Sequence, residues 1–422
     1  MPVLRIVQNT VFKKAPLSAN RLSLPNKFMV TIDQLFEIRY AFRVGDHCFV
    51  ELTRSLGTVG KLGYFLLSHV RVAIQELRAV WLTNVDSRVL YSRSNLVQGL
   101  QWLKELGFNT VYPVVWNKGF TLYPSSVAQD FFGSAVTPDP NFANRDMLAE
   151  LVAEARILGL RVIPWFEYGL MALPGSPIAT RYPNFITTDQ QNNSIRTGKV
   201  WLNPCHPEVQ QFIVDLIADV AARYDVDGVQ LDDNFGLPIE LGYDAFSQAL
   251  YRQENQNQWM PIVPNDSRRQ QWLTDKITLL FQRIFREVKT KRSCLMSLSP
   301  NPLGFSRRNY CVDWRSWQQE GWVEELVLQV YRSNLSAFLG EIDKAEVIDI
   351  RSHIPTAIGI LTGLRTSSVR MSQIQEQVQT TRQKQFAGIS CFFYETLFYE
   401  QLSPQKIARN LTDLKVLFPG NS

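Results

Sequence analysis

Two adjacent carboxylates, Asp232 and Asp233, end the run Val226-Asp227-Gly228-Val229-Gln230-Leu231, and Glu167 and Glu395 close two further strand-like runs. Carboxyl groups in pairs can divide acid and base work, one giving a proton to a leaving group while another attacks or activates water. Side chains alternate faces along a strand, so Gly228, Gln230 and Asp232 share one side and Val229 and Leu231 the other. With the apolar side packed on helices, the polar side points into a barrel. Asp232 then lies at the carboxyl-terminal mouth, where barrel enzymes place reactive groups. Asp233 faces away and reads as support or as a hydroxyl acceptor. The plain alternative is a helix N-cap, which the absence of an immediate helical pattern disfavours.

The elements that would position these acids alternate along the chain. Strands are expected at Leu77–Val85, Thr110–Trp116, Arg161–Phe166, 226–233, Cys294–Leu298, Glu325–Tyr331, Thr356–Leu361 and Gly388–Tyr394. Helices are expected at Ser94–Leu106, Asn144–Leu158, Pro207–Tyr224, 268–290, Asp313–Gln319, 335–348, 369–385 and about 403–416. Eight strands in strict alternation with helices predict a (β/α)8 barrel over residues 74–422. The rival is a doubly wound open sheet, but no G-x-G-x-x-G follows the first strand. Residues 1–73 read differently, as short alternating runs divided by Pro25-Asn26, Gly45-Asp46 and Gly57–Gly60. They predict a small all-β accessory module of the SH3-like kind.

Composition removes several classes of function. At 422 residues, 45% hydrophobic and 20% charged, the chain can bury a large core. The net charge of +5 is dispersed, and Lys289, Lys291 and Arg292 suit the solvated end of a helix, so no nucleic-acid partner is expected. Five separated cysteines with no C-x-x-C pair and four scattered histidines predict no disulfide framework, no metal centre and no cofactor. No apolar run reaches the roughly 18 residues of a membrane span. No leader pattern is visible at Met1–Val7, so the sequence as it stands predicts a cytoplasmic protein. A periplasmic or extracellular site would follow if it begins downstream of its true start.

The strand ends resemble the glycoside-hydrolase-like family 10, bacterial barrels that include hydrolases of peptidoglycan glycan. The matching pieces are Ala79-Val80-Trp81-Leu82, Leu122-Tyr123-Pro124-Ser125, Trp165-Phe166, Asn203-Pro204 and Tyr224 to Asp233. Ser299-Pro300, Asp313-x-Arg315-x-Trp317, Gln329-Val330-Tyr331 and Phe393-Tyr394-Glu395 complete the ordered set over roughly 76–400. Two positions depart from it, with Trp116-Asn117-Lys118 where relatives place a basic residue early and Glu167 where many have asparagine.

The resemblance implies a glycosidase acting on a bacterial polysaccharide or oligosaccharide. Asp232 is then an essential carboxylate, with Glu167 or Glu395 as its partner. A neighbouring Glu167 suits the roughly 5–5.5 Å of a retaining pair, and an opposite Glu395 the roughly 6.5–9.5 Å of an inverting one. Glu167 could instead pair with Arg196 or Lys199, Glu395 could cap the last helix, and Asp313 reads as a helix cap. Trp81, Tyr123, Trp165 and Tyr331 offer faces for sugar stacking or simply fill the core. Asp233, Asn117, Asn203, Ser299 and Gln329 could bond sugar hydroxyls. A binding barrel without turnover, or a transglycosylase, are the alternatives. A phosphate-handling barrel is disfavoured because Gly363-Leu364-Arg365-Thr366 is a poor phosphate cradle.

Overall fold

Apolar runs buried on both faces form parallel strands, because helices cover one side and barrel contents the other. In the computed structural model, which describes residues 2–400 and 408–418, nine parallel strands make one curled sheet. Their order is Arg161–Val162, Thr110–Pro113, Leu77–Leu82, Gly388–Phe392, Thr356–Leu361, Glu325–Gln329, Leu295–Ser299, Gly228–Asp232 and Trp165–Phe166. The first and last are successive parts of one stretch. Pro164 interrupts it because proline brings no N–H to the ladder. Bonds nonetheless continue on both sides, from Ile163 N to Val111 O (3.1 Å) and from Gln230 N to Pro164 O (2.8 Å). The sheet thus curls until its two edges meet in residues 161–166, as a barrel.

The alternation expected from sequence is present, with ends displaced by a few residues. Ser92 and Asp146 cap the helices Arg93–Glu105 and Met147–Leu158, each accepting from a backbone N–H of the first turn. The helix expected over 335–348 is two, Leu335–Ile342 and Ala345–Ile350. For the last helix, residues 403–407 lie outside the described residues, and Leu411–Leu417 is helical. Among the described residues no helix is long and apolar enough to cross a membrane.

Residues Val3–Arg71 form a seven-stranded antiparallel sheet. One face has its own core of Leu4, Ile6, Phe12, Ile38, Val50 and Phe65. A register shift between Ile38 and Tyr40 changes which side chains face which way. Tyr40, Phe42 and Val44 beyond it join the barrel's core, as do Phe49 and Tyr64. This sheet therefore floors the barrel at the amino-terminal ends of its strands. Each such fully buried side chain contributes about 1.5–3 kcal/mol.

Arg161, at the start of its strand, lies under Tyr40 and Phe42, with ring centroids at 4.3 and 5.0 Å. It pairs with Glu325 inside the barrel at 3.0 Å. Asp227 accepts from Arg39 (3.0 Å), Arg156 (3.2 Å) and the Val162 amide (2.8 Å). Glu51 also lies here, 3.5 Å from Arg39. Burial and nearby Asp227 push its carboxyl up to about 7. A polar chain rises from this floor. Ser297 Oγ donates to Glu325 (3.0 Å), Gln230 Nε2 to Ser297 Oγ (3.0 Å), and Trp81 Nε1 to Gln230 Oε1 (2.8 Å). The side of the strand carrying Gln230 and Asp232 therefore faces inward, while Val229 and Leu231 are buried in the apolar core.

Candidate active site

Two parallel strands in register bring the acids together. Trp165 pairs with Gln230 and Phe166 with Leu231, so Glu167 follows level with Asp232 on the adjacent strand. Their loops are pinned to each other, since Asn234 Nδ2 donates to Glu167 O (3.0 Å) and Leu170 N to Asn234 O (3.1 Å). Gly169 permits that approach. Its φ is +50°, and a Cβ there would lie 2.6 Å from the Asn234 backbone. Gly236 has the same role one loop on, where a Cβ would meet Tyr310 O at 2.8 Å.

Each carboxylate is held by one amide side chain from another strand end. Gln329 Nε2 donates to Asp232 Oδ1 at 2.7 Å and also reaches Ser299 O at 2.9 Å and Ser299 Oγ at 3.2 Å. Asn301 Nδ2 donates to Asp233 Oδ2 at 2.6 Å. Asn117 Nδ2 donates to Glu167 Oε2, and the Thr83 hydroxyl is close enough to favour this carboxylate's charged form. An amide donor fixes a carboxylate's direction without bringing a full positive charge. Among the described residues no lysine or arginine forms an ion pair with any of the three acids. Lys118 acts on Glu167 only from a distance.

Burial without a cation raises carboxyl pKa values. Burial pushes Glu167 up to about 7, against the pull of the Asn117 bond and Lys118. Asp232 is raised well above the usual range, first by burial, then by the charges of Asp233 and Glu167. Asp233 is raised too, by burial, against the pull of neighbouring Asp232 and of the Asn301 bond. The adjacent aspartates thus titrate as a pair that keeps one proton between them and carries one negative charge.

Aromatic rings lie below and beside the acids. Trp81 stands 6.2 Å from Trp165 and 5.9 Å from Phe392, and Tyr331 stacks on Phe392 at 5.4 Å. Trp81 and Trp165 are buried, whereas Tyr331 and Phe392 are half-buried. Trp165 Nε1 and Asn117 Oδ1 are buried without a hydrogen-bond partner. An unmet donor and an unmet acceptor beside Glu167 suit a hydroxyl-rich ligand.

The structure distributes the expected site residues unevenly. Asp232, Asp233, Glu167, Asn117, Trp81, Trp165, Ser299, Gln329 and Tyr331 come together at one mouth. Glu395 does not join them, because its strand ends at Phe392 and Glu395 falls in the first turn of the helix Tyr394–Phe398. It accepts from the Arg88 amide at 2.9 Å and lies 3.4 Å from Ser87 Oγ. Tyr123 is in the core, donating to Leu216 O at 3.3 Å and packing edge-on against Tyr224. Asn203 is buried, and its amide is consumed by Asp244, Ser247 and the Cys205 N–H. Arg196 pairs with Glu240 instead of Glu167. Asp313 caps Trp314–Gln319 by accepting from Ser316 N. Asn301, Thr83 and Phe392 are members that sequence reasoning missed. For Phe392 the alternation with Ser390 was an available signal.

Residues 76–381 match the sequence profile of the glycosyl hydrolase-like 10 family. The glycosyl hydrolase DigH of Escherichia coli is 24% identical over 297 residues, covering 64% of this chain and 65% of that protein. The glycosyl hydrolase YngK of Bacillus subtilis is 24% identical over 296 residues, covering 61% and 54%. The chain therefore matches less than two thirds of the length of either relative. Among solved structures, the glycoside hydrolase domain of PgaB (BpsB) from Bordetella bronchiseptica superposes with a TM-score of 0.56 at 14% identity, over 76% of this chain and 95% of that one. The catalytic domain of beta-amylase from Paenibacillus polymyxa gives 0.56 at 10% identity, over 81% and 97%. At such identities the likeness is one of fold.

Proposed function

The chain belongs to the glycosyl hydrolase-like 10 family, and from that premise we propose that it hydrolyses O-glycosidic bonds of a bacterial polysaccharide at the mouth of a (β/α)8 barrel. Glycan strands of peptidoglycan are the first substrate to test. One observation carries the reading. Glu167, Asp232 and Asp233 converge with amide donors and no cation partner, so burial sets their protons for chemistry.

In this mechanism Glu167 gives its proton to the leaving oxygen as the C1–O bond breaks. The aspartate pair supplies one negative charge, and Asp232, aimed by Gln329, meets the positive charge that develops at the anomeric carbon. Adjacent strands about 4.8 Å apart favour the close separation, about 5–5.5 Å, of a retaining pair. Asp232 then forms a glycosyl ester. Water adds to C1 as Glu167 takes back a proton, and the ester oxygen leaves. Tyr331 and Phe392 offer the sugar an apolar face. Residues 1–73, kept as a small SH3-like module, seal the floor of the 74–422 barrel.

The test is release of reducing ends from purified sacculi and from a panel of neutral polysaccharides, with the new anomer read by proton NMR. Retained configuration is expected. Inversion would remove the role given to the Glu167–Asp232 pair, and no release from any substrate would overturn the hydrolase reading.

A further inference from the structure

The strand bearing Asp232 does not return directly to the barrel floor. It runs through the helix Ala245–Glu254 and a loop to the helix Ser267–Lys291. The latter has 25 residues, about 37 Å at 1.5 Å per residue, far longer than a five-residue strand. The next strand, Leu295–Ser299, follows within four residues of its end. The helix therefore ends near the floor. Its first turn holds the loops that follow Asp232, with Arg269 donating to Ile239 O (2.7 Å) and Pro264 O (2.9 Å), so its surplus length forms a wall on the side of the mouth.

The loop on that wall presents Trp259, 72% exposed, within a run of neutral amides. Gln253, Gln256, Asn257 and Gln258 are all exposed beside it. The Arg252 guanidinium lies 4.0 Å from the indole centroid and covers one face. Arg252 also donates to Asn257 Oδ1 at 2.7 Å, which leaves that amide's N–H groups pointing elsewhere. The loop is held in place. Tyr243 OH donates to Pro261 O (3.1 Å) and Ile262 O (3.2 Å), and Gln190 donates to Ile262 O. Met260 beneath is buried. Through Gln190, and through the bond from Tyr243 N to Thr188 O (2.9 Å), the loop is tied to the segment that follows Glu167. It is thus tied to the long loops that follow both acid-bearing strands.

An indole with one face open, on a loop that also exposes neutral amides and the apolar Ile262 and Val263, matches the alternating apolar faces and hydroxyls of a sugar. We propose that Trp259, with Gln256, Asn257 and Gln258, is a second binding site for sugar rings of an extended glycan whose scissile bond lies at the mouth. This rests on the carbohydrate reading above, and it restricts the substrate to polymers long enough to reach the wall.

The test compares wild-type protein, Trp259→Ala and Trp259→Phe for capture by sacculi and by insoluble chitin. Hydrolysis of solubilised glycan strands and of a tetrasaccharide cut from them is measured in parallel. Loss of an aromatic face should weaken polymer capture about tenfold and raise KM on the polymer, with kcat and tetrasaccharide kinetics unchanged. The phenylalanine variant should recover most of the affinity. Equal capture by wild type and Trp259→Ala would overturn the site. So would a loss seen only on phosphatidylglycerol vesicles or in self-association. Trp259-dependent capture without any cleavage would keep this site and overturn the hydrolase reading, whereas cleavage with capture indifferent to Trp259 would do the reverse.

Discussion

Asp227 and Asp232 stand five residues apart at opposite ends of one strand, and they are equally buried, at 3% and 4% exposure. Their partners differ. At the floor Asp227 accepts from two arginines and a backbone amide, and Glu325 is paired with Arg161. At the mouth Asp232 has an amide donor, a second aspartate and a glutamate. A buried carboxylate with a cation beside it keeps its charge and ties elements together. One without a cation has its pKa raised and becomes a site where protons move. On the proposed mechanism, the two ends of the barrel commit the same side-chain chemistry to structure and to reaction. Glu51 is the floor's exception, raised to about 7 by burial and Asp227 even though Arg39 is near.

Substitutions at the two ends should separate these roles. The largest effect is expected from Asp232→Asn, which keeps shape and removes the charge. Turnover should fall by about 10³-fold or more while the melting temperature holds or rises, because a raised, buried carboxyl is gone. Reducing-end release and thermal melts on the same preparation check both. Glu325→Ala should do the opposite. It leaves Arg161 buried and unpaired, a loss of about 3–5 kcal/mol visible in urea unfolding, with activity per folded molecule within a few-fold of wild type. Glu395→Gln is expected to be the mildest, changing turnover by less than about threefold, since an amide oxygen still accepts from the Arg88 N–H. A large loss there would move the reactive carboxylates across the barrel and break the comparison.

Much of this arrangement is legible in the sequence, because strand periodicity is strict. Alternation along 228–232 places Gln230 and Asp232 inside, and the same count puts Trp165 and Glu167 on one face. The repeated alternation of strands and helices anticipates the curled parallel sheet. What alternation does not carry is the conformation just past a strand. Glu395 stands three residues beyond Phe392, where the chain has already turned into a helix, so its side chain caps a loop. Tyr123 follows the hairpin 116–121, which redirects the chain, and its hydroxyl reaches the helix carbonyl of Leu216. Asn203 was a reasonable hydroxyl binder by type, but its amide closes a local network with Asp244 and Ser247. Asn301 comes to Asp233 only because Trp314 and Ser306 donate to its carbonyl oxygen and hold the loop (3.0 and 2.9 Å). No local pattern encodes that. The floor was equally hidden, since a single register shift at Ile38/Tyr40 turns three side chains from one core to the other.

The central claim is that burial without a cation keeps Glu167 protonated near neutrality so that it can act as an acid. Its carboxyl is raised to about 7, whereas in the unfolded chain it titrates near 4.3. Between those values the folded protein holds a proton that the unfolded chain has released, so this group's contribution to stability declines as pH rises through the window. Activity requires the same proton. The pH dependence of kcat/KM on solubilised glycan, measured for wild type and Glu167→Gln, is therefore the direct test. The account predicts a one-proton fall above about pH 7 in wild type, and a low rate without that limb in the variant. A limb that persists unchanged in Glu167→Gln would contradict it.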